Sequence, residues 1–174
     1  MIDVAEALLR IQRAAVVVQP RRVRIEDAVG LRLQEDVISD TDSPPWHRSM
    51  MDGFAVISKD FVHSSDCKQA VTLKVVAKVG AGETTATVLK RDQCIRIMTG
   101  APMPAGADAV IPIERAVSGT SNAQAGEQVS VQDPHFRCGQ HVSEKGSFFR
   151  AGQTVIHHGV ELELVHVGLA AEVG

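Results

Sequence analysis

The chain has 174 residues, 44% hydrophobic and 22% charged, and its 18 Lys and Arg against 21 Asp and Glu leave a formal net charge of −3. That composition excludes a disordered chain, and the length suffices for one medium domain or two small ones. The acidic balance argues against a dedicated nucleic-acid binder, and the longest apolar run, residues 14–18, is too short to cross a bilayer.

Residues 3–18 predict an amphipathic helix, with Asp3 as N-cap, Glu6 three residues on, and Val4, Leu8, Ile11 and Ala15 on one face. Its acidic start is unlike the basic opening of a signal peptide. Pro20 ends it, and Arg21, Arg22 and Arg24 read as a solvated strand edge. A strand-like Val23-Arg24-Ile25, a helical turn closed by Gly30 and a short strand at Val37 and Ile38 are expected next. In residues 39–49, Pro44 and Pro45 block a helix and remove ladder donors, so a stiff loop and a domain boundary near residues 38–40 are expected.

Val71–Val79 alternates, which predicts a half-buried strand with Val71, Leu73, Val75, Ala77 and Val79 on one face and a turn at Gly80-Ala81-Gly82. Further short strands are expected at residues 86–89, 94–98, 109–113 and 128–132, with residues 118–127 as a hairpin loop. Pro112 marks an edge strand or a bulge. A strand at residues 154–156 and a helix at residues 161–170 close the chain. Aromatic residues make up only 3%, so the core must use β-branched and small side chains, which favours strands and leaves no stacking platform for single-stranded nucleic acid. The result is a mostly β chain with some α, built around a β-barrel-like domain.

Cys67, Cys94 and Cys138 lie far apart with no Cys-x-x-Cys pair, which fits a reducing cytoplasm better than disulfides or structural zinc. His157, His158 and His166 could suggest a metal, but adjacent histidines on a strand project to opposite faces, so no site is expected there.

Two stretches carry chemistry. In Pro44-Pro45-Trp46-His47-Arg48-Ser49-Met50-Met51-Asp52-Gly53-Phe54, the Asp52-Gly53 turn can present a carboxylate just before a strand, with Ser49 close enough to share a hydrogen bond or a metal-bound water. An Asp-Gly pair is more often a plain turn, and Trp46 and Phe54 are more often packing residues than ligand platforms. In Arg96-Ile97-Met98-Thr99-Gly100-Ala101-Pro102-Met103-Pro104, the Thr99 hydroxyl with the Gly100 and Ala101 amides could cradle an anion. No P-loop or dinucleotide fingerprint accompanies them.

In this order the two stretches resemble the molybdopterin molybdenumtransferase family, the MoeA-like proteins that include the E domain of gephyrin. The first resembles the family's PP(F)xxSAMDGYAV run, and residues 94–114 (CIRIMTGAPMPAGADAVIPIE) are close to a perfect match to the second. The opening helix, residues 24–30 and the tail from Gly152 also fit, so the resemblance covers nearly the whole chain. It implies a small α+β domain split in sequence around an inserted β-barrel-like domain. Residues 1–19 would be an N-terminal helix, 20–38 and 153–174 the split first domain, and 39–152 the second. The family's third and fourth domains have no counterpart here.

The resemblance also implies an activity: cleavage of adenylylated molybdopterin, dependent on a divalent cation such as Mg2+, with molybdate insertion and release of AMP. Asp52 matches the acidic residue of the family's site and would serve as cation or water ligand, and Thr99 would bind an anion. Ser49, Arg96, Gly100 and Ala101 are further substrate-binding candidates. An anionic pterin substrate, a molybdopterin adenylyltransferase as pathway partner, a homodimer at full length and a cytoplasmic location are implied, with neither nucleic acid nor membrane as a partner. The 174-residue chain alone is expected to be inactive.

The family usually has Asp, Ala and Tyr where His47, Met50 and Phe54 stand. In the third motif Ser143 replaces an Arg and Phe148 an Asp, with Lys145 between them as a point charge rather than a bidentate fork. These departures support an alternative: a non-catalytic relative that binds molybdopterin or a partner protein.

Overall fold

The computed structural model describes residues 2–16, 18–61, 69–118 and 123–173. Its elements in chain order are α1 (Val4–Ala14), β1 (Val37–Ile38), β2 (Arg48–Ser49), β3 (Gly53–Val56), β4 (Val71–Val79), β5 (Gln93–Ile97) and β6 (Ala109–Pro112). They continue with β7 (Ala116–Ser118), β8 (Gln128–Val131), β9 (Val142–Ser143), β10 (Thr154–Ile156) and α2 (Leu164–Val173). The chain is thus mostly β with two helices. Contacts divide it into two units, Met1–Ile38 with Thr154–Gly174, and Ser39–Gln153.

In the first unit Asp3 caps α1 by accepting from the Glu6 amide at 2.7 Å. The Glu6 carboxylate turns to Arg10 one turn on rather than back to the cap, so the cap is one-sided. α1 buries no residue, and Val4, Leu8 and Ile11 are all exposed. The strand expected at residues 23–25 is absent: Ile25–Asp27 forms a 3-10 turn. Residues 30–33 pair instead, with the Gly30 amide on the Leu162 carbonyl and the Leu33 amide on the Val160 carbonyl, both at 2.8 Å. Because Leu162 returns a bond to Leu31, α2 starts at Leu164 rather than at residue 161. β1 and β10 pair antiparallel, Val37 opposite Ile156. His157 and His158 lie past the end of β10, and both Nδ1 atoms face Asp36, at 3.8 and 2.9 Å. The expected projection to opposite faces is therefore corrected, because the pair sits in a turn and not on a strand.

The second unit is a six-stranded sheet curled into a half-barrel, in the order β6-β3-β5-β4-β8-β7, with a separate β2-β9 pair. β4 and β5 run parallel, and every other pairing in the sheet is antiparallel. Both faces are covered. Phe54, Val56, Leu73, Val75, Cys94, Ile111, Val129 and Val131 pack on one face, and Ala55, Val79, Ile95, Ile97, Ala101 and Val110 on the other. Successive residues of β3 thus enter opposite cores, which is why the strand reads as a continuous apolar run. β6 lies at an edge of the sheet, where Pro112 costs no ladder bond.

β4 departs from the expected single face. Its register slips between Val75 and Ala77, so Leu73 and Val75 enter one core while Val76, Ala77 and Val79 pack toward the other. Residues 86–89 form no strand; Leu89 is buried through one amide bond to the Ala105 carbonyl at 2.8 Å. Cys94 is buried and free, Cys138 is exposed and free, and Cys67 lies outside the described residues, as do residues 119–122 of the expected hairpin loop. Burial pushes the Cys94 thiol up to about 12, which removes it as a nucleophile.

Gly53 is the tightest point between β3 and β6. A Cβ there would lie 2.0 Å from the Ile111 carbonyl oxygen. Neither strand can yield, because both are buried on each face. Gly53→Ala is expected to cost about 3 kcal/mol or more, read from urea unfolding; a loss below about 1 kcal/mol would contradict this packing.

Candidate functional site

β3 and β5 are antiparallel neighbours, with Gly53 opposite Ile97. Asp52, just before β3, and Thr99, two residues past β5, therefore meet at one end of the sheet. The Thr99 amide donates to Asp52 Oδ1 at 2.7 Å, and the Thr99 hydroxyl donates to the same oxygen at 2.8 Å. The Asp52 carbonyl accepts from the Ile113 amide at 3.0 Å, which fixes the backbone behind the side chain. The bond from the Thr99 amide, then that from its hydroxyl, hold the Asp52 carboxyl below the usual range; the Arg96 charge adds to them and partial burial opposes. Among the described residues no donor reaches Oδ2. The result is an exposed carboxylate, oriented through one oxygen and open at the other.

The other candidates sit behind this pair. Ser49 is buried; its hydroxyl donates to the Met51 carbonyl at 2.6 Å and accepts from the Met51 amide at 3.3 Å. It therefore shapes the loop ahead of Asp52 and does not share the expected bond with it. The Gly100 amide donates to the Ser49 carbonyl at 2.9 Å, and the Ala101 amide to the Met98 carbonyl at 3.0 Å. The amide cradle read from the sequence is corrected accordingly: the Gly100 amide is spent joining the second motif to the first, and the Ala101 amide is spent on a turn within the second motif. Gly100, at φ +82°, takes a conformation that side chains disfavour. Arg96 is only 5% exposed, with Nη1 donating to the carbonyls of Gly53 at 2.9 Å and Ile97 at 2.8 Å.

The third motif closes on the first through β2 and β9, Arg48 opposite Ser143 and Ser49 opposite Val142. The Arg48 guanidinium lies 5.4 Å from the centre of the exposed Phe148 ring. Lys145 reaches Asp42 at 3.3 Å, so its charge is paired there. A cleft of about 470 Å³ is lined by Trp46, His47, residues 103–108, Gly139, Val142 and Glu144, and neither Asp52 nor Thr99 borders it. No group of three or more His, Cys, Asp or Glu side chains among the described residues is placed to hold a metal ion.

A family model described as the MoeA N-terminal region (domain I and II) matches residues 2–174. The chain belongs to this MoeA N-terminal family. It is 35% identical over 116 residues to a molybdopterin molybdenumtransferase of Staphylococcus epidermidis, covering 67% of this chain and 27% of that protein. It is 33% identical over 156 residues to molybdopterin molybdenumtransferase 2 of Mycobacterium tuberculosis, covering 90% of this chain and 36% of the relative. A crystal structure of a molybdopterin biosynthesis MoeA protein from Pyrococcus horikosii superposes with a TM-score of 0.80 at 29% identity, over 99% of this chain and 42% of that one. The chain therefore spans less than half the length of these relatives.

Within this MoeA N-terminal region the sequence pointed to Asp52 and Thr99 as separate groups, and the structure makes them one unit. It gave no sign of the Ile113 bond to the Asp52 backbone or of the Arg48–Phe148 contact, which join residues far apart in sequence. Because the folded carboxyl titrates below its unfolded value, the contact stabilises above the unfolded value and is lost as pH falls through the folded one. Thr99→Val removes one of the two donors, so the Asp52 titration midpoint, read by carboxyl 13C NMR, is expected to move up. An unmoved midpoint would contradict the hydroxyl bond.

Proposed function

We propose that this chain supplies the Asp52 wall of a molybdopterin molybdenumtransferase site, in molybdenum cofactor biosynthesis. Its substrates would be adenylylated molybdopterin and molybdate, and AMP would be released. The observation that carries this reading is the convergence of both Thr99 donors on one oxygen of Asp52, within the two motifs that match the family.

A single ionised carboxylate with one open oxygen fits Mg2+, which keeps most of its waters and is bound by one or two carboxylates together with substrate phosphates. Asp52 would be its ligand, and the ion would offset charge on the phosphoanhydride. Thr99 keeps Asp52 ionised and fixes the direction of the carboxylate. Its one open oxygen, Oδ2, would either ligate the ion or orient a water toward the anhydride. The anion-binding role first read for Thr99 gives way to this one, since its amide and hydroxyl hydrogens are already given to Asp52. The facing wall of the site, the pterin contacts and any homodimer contact or handover from an adenylyltransferase would come from the regions of these relatives that the chain does not span.

A second reading, a non-catalytic relative, is favoured by the third motif. Phe148 and Ser143 leave no Arg–Asp pair there, and Lys145 is committed to Asp42. The two readings separate in a chimera carrying this chain in place of the matching region of the Mycobacterium tuberculosis relative, expressed in a molybdenumtransferase-deficient strain. The transferase reading expects recovery of molybdenum-enzyme activity, lost by at least about a hundredfold with Asp52→Asn, the scale of removing one positioned catalytic group. Soluble expression without rescue would favour the non-catalytic relative.

A further inference from the structure

Arg96 occupies a position in β5 that packing alone does not explain. It stands opposite Phe54 of β3 and Lys78 of β4. Its guanidinium lies 5.6 Å from the centre of the buried Phe54 ring, and its Nε is buried with no hydrogen-bond partner among the described residues. A buried cation with an unmet donor costs more than an apolar side chain of similar volume at the same place. What the cation provides is connection. One nitrogen, Nη1, donates to the carbonyl of Gly53, the residue after Asp52, and to that of Ile97, two residues before Thr99.

We infer that Arg96 is a positioning residue, which ties the start of β3 to the end of β5 so that Asp52 and Thr99 meet in one geometry. This rests on the reading of Asp52 as the working carboxylate. Arg96 touches no substrate itself; it acts through Asp52. Without the bridge, Gly53 and Ile97 would still pair as strand neighbours, but the loops just beyond them would lose their common anchor.

The electrostatics agree. The charged groups facing the guanidinium are Asp52 and Glu114, both of which favour its charged form against burial, with Lys78 in register on β4. The Arg96 charge in turn helps keep Asp52 ionised, after the two Thr99 bonds.

The test uses this chain and needs no turnover, so it can fail independently of the transferase reading. Two quantities are read by NMR: the titration midpoint of the Asp52 carboxyl, and hydrogen exchange of the Thr99 amide. Arg96→Met is expected to raise the Asp52 midpoint and to speed Thr99 exchange by about tenfold, the loss of roughly one net hydrogen bond. Arg96→Lys, which keeps the charge and one reaching donor, is expected to recover most of both. Asp42, held by the Ala151 amide and Lys145 elsewhere in the unit, is the control and should not move.

A folded Arg96→Met chain with wild-type Asp52 titration and Thr99 exchange overturns the inference. So does an equal shift of Asp42, which would mark general loosening. Should Arg96→Met not fold, Arg96→Gln and Arg96→Lys decide it. Faster Thr99 exchange with a raised midpoint in Gln, and lesser changes in Lys, support the positioning role; wild-type behaviour in both overturns it.

Discussion

Two hydrogen bonds from one threonine to one carboxylate oxygen organise the functional end of this chain. They require Asp52 and Thr99, 47 residues apart, to arrive with their backbones in register. The antiparallel pairing of β3 with β5 brings the two strand ends together. Gly53 lets β3 approach β6 closely enough for the Ile113 amide to hold the Asp52 carbonyl. The turn at Gly100 ties the far side of the Thr99 loop to Ser49.

The same arrangement explains why so much of the site is buried and so little is exposed. Ser49, Arg96 and Ala101 are nearly inaccessible; Ser49 and Ala101 spend their polar groups on backbone, as does Nη1 of Arg96. The exposed chemistry reduces to Asp52 and Thr99. A surface carboxylate would ordinarily be mobile and poorly directed; here one oxygen is held by two donors from the turn after β5, which leaves the other a defined direction. That is preorganisation with few parts, and it suits a hard cation shared with a phosphate better than a cage of protein ligands.

The sequence was legible where local chemistry decides structure. The N-cap at Asp3, the strands ending near Ile97 and Val131 and the edge position of Pro112 follow from propensity and turn residues. The motif residues Asp52 and Thr99 were legible through resemblance, not through spacing. What remained hidden depended on contacts distant in sequence. The slip at Val75–Ala77 is a property of the β4–β5 pair, so the alternation of β4 alone could not show it. The Gly100 amide looked free because its acceptor, the Ser49 carbonyl, lies in the other motif. The two histidines after β10 meet Asp36 across the chain's fold-back, 122 residues from His158.

The central claim is that Thr99 works through Asp52 and not as an independent ligand. The most direct measurement is a double-mutant cycle on adenylate cleavage in the chimera, under single-turnover conditions sensitive enough for residual rates. Thr99→Val and Asp52→Asn are measured singly and together. If Thr99 acts only by holding the carboxylate, the double variant is no slower than Asp52→Asn alone. If the two losses multiply, Thr99 contacts substrate in its own right and the account is contradicted.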